Sequence, residues 1–86
     1  MKLKSGFVLK EIAGECVAVP TEAALNFDGM IALNQTAKTI WLILAEGAER
    51  EDIIRKLTEE YGITEELAAK ATDMFVDRLG ELGFLQ

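Results

Sequence analysis

The side chains that could do chemistry in this 86-residue chain are few. Cys16 is the only cysteine and there is no histidine, so a Cys–His nucleophile, an internal disulfide and an imidazole metal site are all excluded. A lone thiol becomes nucleophilic only beside a base, a cation or a helix N-terminus. Cys16 sits in a strand-like run, where a small buried thiol is expected. A small enzyme built on Cys16 is the weakest of three functional readings, and a Cys16→Ser variant tests it. The acidic pairs Glu59-Glu60 and Glu65-Glu66 lack the alternating oxygen ligands around a glycine that a calcium loop needs, and read as solvated helix ends. No glycine-rich phosphate loop, nucleophile elbow or HExxH occurs. The sequence therefore reads as a non-enzymatic protein with no catalytic residue, no metal and no cofactor.

Two other side chains stand out. Trp41 falls on an apolar helical stripe and is expected in the core. Arg78 projects beside the apolar arc of Ala71, Met74 and Leu82, where an arginine can anchor a partner's carboxylate or lay its stem over apolar surface.

The elements that position these residues divide near Asn34. Phe7–Ile12 and Glu15–Val19 read as a hairpin turned by Ala13-Gly14, with Pro20 ending the second strand. Thr21 to Phe27 is a connection, Asp28-Gly29 a turn, and Met30–Leu33 a short third strand. Asn34 is suited to cap a first helix, Gln35 to Glu46, with Ala37, Ile40, Trp41 and Leu44 facing the core and Gly47 ending it. Glu49, Glu51 and Asp52 suit the start of a second helix, which has Ile53, Ile54 and Leu57 inward and Tyr61-Gly62 at its end. Thr64 caps a third. Its apolar residues Leu67, Ala71, Met74, Phe75, Leu79 and Leu82 give the strongest helical period in the chain. Gly83 ends it, and Phe84-Leu85 pack back as a tail.

The expected fold is thus α+β. A small three-stranded antiparallel sheet is followed by three helices, β-β-β-α-α-α, in one domain over residues 1–86, with the look of a winged helix-turn-helix. No apolar run approaches a membrane span and no secretory signal is evident, so a soluble, cytoplasmic protein is expected. Fifteen acidic residues against nine basic ones give a net charge of −6. Residues 47–86 carry ten acidic and five basic side chains. Such a surface opposes nucleic-acid binding, which rests on phosphate contacts. A winged-helix DNA-binding or protein-interaction domain is the second reading.

The third strand is the feature that points furthest. An open edge there would offer unpaired backbone groups to an extended peptide, beside the apolar face of the third helix; the alternative is an edge capped by the chain's own tail or by a second subunit. The same open edges also invite a homodimer, which would compete for that strand.

The ordered residues resemble a known family. Leu33-Asn34-Gln35-Thr36-Ala37-Lys38-Thr39-Ile40-Trp41 followed by Leu44 resembles the "LNxTAxxIWxLL" signature of PqqD-like proteins, named for pyrroloquinoline quinone biosynthesis protein D. Gly47, Ile53-Ile54, Leu57 and Tyr61 are similar to that family's next segment. Asp73, Phe75, Leu79, Leu82, Gly83 and Phe84-Leu85 are similar to its closing helix and tail. The likeness runs from about Phe7 to Leu85, with one departure: Ala48-Glu49 stands where the family commonly has a threonine, which should alter a helix cap. The resemblance implies a recognition element for ribosomally made, modified peptides. It would bind a precursor's leader segment by strand addition and present it to a modifying enzyme, often a radical S-adenosylmethionine protein. Carried onto this chain, the edge is Met30, Ile31, Ala32 and Leu33, and the helix wall is Leu67, Ala71, Met74, Phe75 and Arg78.

Overall fold

A computed structural model describes residues 1–21 and 31–86. The expected connection 21–27 falls almost wholly, and the Asp28-Gly29 turn and Met30 entirely, outside the described residues. Strand β1 (Phe7–Ile12) pairs antiparallel with β2 (Glu15–Pro20), and β2 pairs antiparallel with β3 (Ile31–Leu33), in the order β1-β2-β3. Three helices follow: α1 (Gln35–Glu46), α2 (Arg50–Tyr61) and α3 (Glu65–Glu81). The α+β architecture anticipated from the sequence is the one observed.

Local chemistry explains these boundaries. Ile12 faces Glu15 across a two-residue turn in which Ala13 and Gly14 have φ of 53° and 82°. Both positive values are those of the tight turn whose twist matches the flanking strands. Pro20, which has no N–H to donate, is the last residue of β2. Asn34 caps α1 by accepting from the Ala37 N–H at 2.8 Å. Glu49 caps α2, and its own N–H donates to Asp52 Oδ2 at 3.2 Å, so the departure from the family's threonine does fall at a helix cap. Thr64 Oγ1 accepts from the Leu67 N–H to open α3. At the far end Gly83, at φ 78°, reverses the chain: its N–H donates to Gly80 O and the Phe84 N–H to Leu79 O.

The core lies between the sheet and the helices. Ala18, Ile31 and Leu33 come from the sheet; Ile40, Trp41 and Leu44 from α1; Ile53, Ile54 and Leu57 from α2; Ala68 and Leu79 from α3. Trp41 is buried, as its stripe predicts. Phe84 of the tail stacks on Phe7 with ring centroids 4.3 Å apart, and Phe7 and Trp41 meet in a T-shaped contact with centroids 5.8 Å apart. The tail and the first residues also close on each other: Lys4 N–H donates to Phe84 O, Gln86 N–H to Lys2 O, and Leu3 pairs with Leu85. Leu3 is consequently a core residue, a role that the pattern of residues 1–6 does not reveal.

Helix α3 departs from expectation in its rotation. Of the strongest stripe, only Leu79 is buried; Leu67, Met74 and Leu82 are exposed, and Ala71 and Phe75 are half-buried. The buried row is Ala68, Thr72 and Leu79. Ala68 and Thr72 are short, so this face can lie flush against α2, whereas leucine and methionine there would hold the helices apart. The buried Thr72 hydroxyl donates to Ala68 O at 2.8 Å and so brings no unpaired polar group into the seam.

Candidate functional site

The rotation of α3 leaves an apolar wall uncovered beside the sheet. A groove of about 410 Å3 runs there, lined by Ala32 of β3, by Asn34 at its end, by Thr36, Ala37 and Ile40 of α1, and by Ala71, Met74, Phe75 and Arg78 of α3. Ile40 is fully buried, so it forms the floor, while Met74, at 66% exposure, forms a rim. A hollow of about 440 Å3 between α2 and the start of α3 is slightly larger, but charges of both signs line it: Arg50, Glu51, Arg55 and Glu65. Among the described residues, the groove between β3 and α3 joins a largely apolar lining to a strand edge.

The sheet register fixes what that edge offers. Thr21 N–H donates to Gly6 O at 2.7 Å, so these two residues form a hydrogen-bonded pair. In an antiparallel ladder, such pairs alternate with pairs that turn their backbone groups outward. The hydrogen-bonded pairs of β1 and β2 are then Val8–Val19, Lys10–Val17 and Ile12–Glu15. Cys16 and Ala18 turn their groups to the other side of β2, where they meet Leu33 and Ile31. Ile31 and Leu33 thus spend their N–H and C=O on β2. Ala32, between them, directs both of its groups at the open edge. Among the described residues no strand lies on that edge.

This geometry sorts the residues anticipated from sequence. Ala32, Ala71, Met74, Phe75 and Arg78 come together in one groove. Ile31 and Leu33 are buried, with side chains in the core and backbone groups committed to β2, so of β3 only Ala32 is presented. Leu67 is exposed on the same helix but does not line the groove, and Met30 lies outside the described residues. Sequence reasoning missed the third wall, from α1. Ala37 and Ile40 carry the right signal, an apolar stripe, which assigned them wholly to the core.

The other candidates separate cleanly from this site. Cys16 is half-buried rather than fully buried, and packs against the core. Glu59, Glu60, Glu65 and Glu66 are exposed, as solvated helix ends should be. Among the described residues no cluster of ligating side chains could hold a metal ion, and no helix is long and apolar enough to cross a membrane. The shifted titrations lie away from the groove too. Arg50 grips Asp73 with two hydrogen bonds, at 2.7 and 2.9 Å, linking α2 to α3. Chiefly through these bonds, the Asp73 carboxyl is held below its ordinary pKa and the Arg50 guanidinium above its own.

Comparison with known proteins decides the family. The sequence model described as Coenzyme PQQ synthesis protein D (PqqD) matches residues 7–85, nearly the whole chain. The chain belongs to the PqqD family. Among solved structures, that of TbiB1 in complex with the TbiA(beta) leader peptide is similar, with a TM-score of 0.76. The match covers 100% of this chain and 95% of TbiB1 at 22% sequence identity, which speaks to a shared fold. No curated protein matches the chain significantly. This PqqD-family chain carries its groove between β3 and α3.

Proposed function

We propose that this PqqD-family chain is a peptide-binding adaptor that takes the leader segment of a ribosomally made precursor as an extra strand on β3. It then presents that peptide to a modifying enzyme, a radical S-adenosylmethionine protein being the leading candidate. The observation that carries the reading is the outward-facing N–H and C=O of Ala32 beside an apolar groove. Backbone hydrogen bonds supply affinity in strand addition, and side-chain pockets supply specificity. The family and the leader-bound state of TbiB1 support the same reading. Among the described residues the groove lining holds no carboxylate or thiol, which supports a role in binding. The cytoplasm, where precursor peptides are made, is its expected compartment.

Nuclear magnetic resonance tests this directly. A short open reading frame beside a gene for a peptide-modifying enzyme would supply the precursor, and its N-terminal half would be titrated into labelled protein. Amide shifts concentrated at Ala32 and along Ala71–Arg78 are expected; a competent precursor that shifts nothing would sink the reading. Gel filtration with light scattering tests the homodimer, because pairing through β3 would compete with the peptide. The DNA-binding alternative meets five exposed carboxylates on α3, Glu65, Glu66, Asp73, Asp77 and Glu81, against Lys70 and Arg78. No gel retardation is expected even at low salt.

A further inference from the structure

Resting on that reading, we infer that the groove selects extended segments carrying an aspartate or glutamate two residues from a large apolar side chain, with Arg78 as the carboxylate anchor. Three observations lead there. The first is charge. Among the described residues Arg78 is the only charged one lining the groove, although the chain as a whole is strongly acidic.

The second is that Arg78 is held in reserve. The chain has three arginines. Arg50 pairs with Asp73 and Arg55 with Asp52, at 2.7 and 3.0 Å. Among the described residues Arg78 pairs with no carboxylate, even with Asp77 adjacent and Glu81 three residues on in the same helix. Its fork of donors is therefore free to grip an incoming carboxylate with paired hydrogen bonds, which a lysine could not match in geometry. On an exposed surface such a pair is worth little. Against Ala71, Met74 and Phe75, with a peptide laid over them, the pair loses water and its hydrogen bonds strengthen.

The third is spacing. Met74 and Phe75 stand four and three residues before Arg78, about 4.5–6 Å along the axis at ~1.5 Å per residue. Alternate side chains of an extended strand lie about 6.7 Å apart. A strand lying along the groove can thus seat an apolar side chain against Met74 and Phe75 and, two residues away, a carboxylate at Arg78. The intervening residue points to the opposite face and is unconstrained. Whether the carboxylate precedes or follows the apolar residue depends on the direction of the added strand.

The test uses a defined panel: acetylated, amidated eleven-residue peptides of Ser, Thr and Lys with one central Leu. Each carries Glu or Gln two residues before or after that Leu. Dissociation constants would be read from amide shifts of the intact protein. For one of the two orders, the Glu peptide is expected to bind roughly tenfold more tightly than its Gln twin, the range of a charge-assisted hydrogen bond. Arg78→Gln should erase that difference between the Glu and Gln peptides, and Arg78→Glu should favour a Lys-substituted twin instead. Equal binding of Glu and Gln peptides, a preference that survives Arg78→Gln, or no shift from any member at millimolar peptide would each overturn the inference. The precursor titration distinguishes this failure from that of the adaptor reading. A precursor that shifts Ala32 and the α3 wall without discriminating Glu from Gln removes the carboxylate anchor and leaves strand addition standing.

Discussion

Helices α2 and α3 both carry apolar stripes, the α3 one more regular, and the fold treats them in opposite ways. In α2 the stripe Ile53, Ile54 and Leu57 is buried entirely. In α3 the stronger stripe lies largely open, and a row of shorter residues, Ala68 and Thr72 with Leu79, faces inward. Periodicity shows that a helix has an apolar face; it does not show what covers that face. When a second, smaller-residue row can reach the core more closely, the larger row is left for something else. In this molecule it is left beside a strand edge whose central residue has its backbone groups free. Burial on one side of α3 holds the domain together, and exposure on the other makes the groove.

The two sides should therefore respond differently to the same truncation. Leu79→Ala removes a fully buried side chain and should cost about 2–5 kcal/mol of stability, from lost transfer energy plus the cavity left behind. Met74→Ala removes one that is mostly in water and should move stability by no more than about 0.5 kcal/mol, while weakening peptide binding. Chemical denaturation, with the peptide titration alongside, separates the two effects. Equal stability losses would mean that α3 has no open side.

A smaller effect probes why the short row faces inward. Thr72→Leu adds volume to the wholly buried seam and removes the hydroxyl bonded to Ala68 O. It should cost about 1–3 kcal/mol through overpacking, although leucine has the higher helix propensity. A variant as stable as the parent would show that the seam has room, and that short side chains are not what sets the rotation of α3.

Much of this was legible in the sequence. The hairpin and all three helices, with their ends, follow from Gly, Pro and capping residues that act locally. Asn34 and Thr64 open helices with their side-chain oxygens, and Gly47, Gly62 and Gly83 close them through their backbone N–H groups. The α2 stripe and Trp41 were legible for the same reason. The rotation of α3 was not, because Thr72 interrupts the buried row and weakens its hydropathy signal, although its hydroxyl is satisfied within the helix. Leu3 was missed because a single apolar residue among lysines has no period. Its burial comes from the tail at the other end of the chain. In the site, the helix residues Ala71, Met74, Phe75 and Arg78 were legible as one face. The α1 wall was not, because Ala37 and Ile40 serve core and groove together. Nor does composition indicate that Ala32 alone points its backbone outward. That follows from hydrogen-bond phase, set by the Ala13-Gly14 turn.

The phase can be checked on the open side. Ala32→Pro removes an N–H that faces solvent and should leave the fold intact, as proline does on a strand's outer edge. It should weaken peptide binding about threefold to tenfold, the worth of one hydrogen bond. Leu33→Pro removes an N–H that faces β2 and should instead destabilise the protein. Reversal of the two outcomes would place the free backbone groups on Ile31 and Leu33 and redraw the edge offered to the peptide.

The smallest effect lies on the closed side. The Arg50–Asp73 pair ties α2 to α3, but both side chains are about half-exposed, at 48% and 50%, so water screens their attraction. Because Asp73 has a folded-state pKa below its unfolded one, its contribution is present above the ordinary carboxylate range and disappears as pH falls through the folded value. Asp73→Asn should thus cost a little stability near neutrality. The gap between parent and variant should narrow on acidification and in high salt. Denaturation at a series of pH values measures that gap, and carboxyl chemical shifts locate the titration of Asp73. An Asp73 that titrates at its ordinary value would show that the pair does not persist in solution. The closed side of α3 would then be held by apolar burial alone, and the contrast between its two faces would reduce to which row of side chains is shorter.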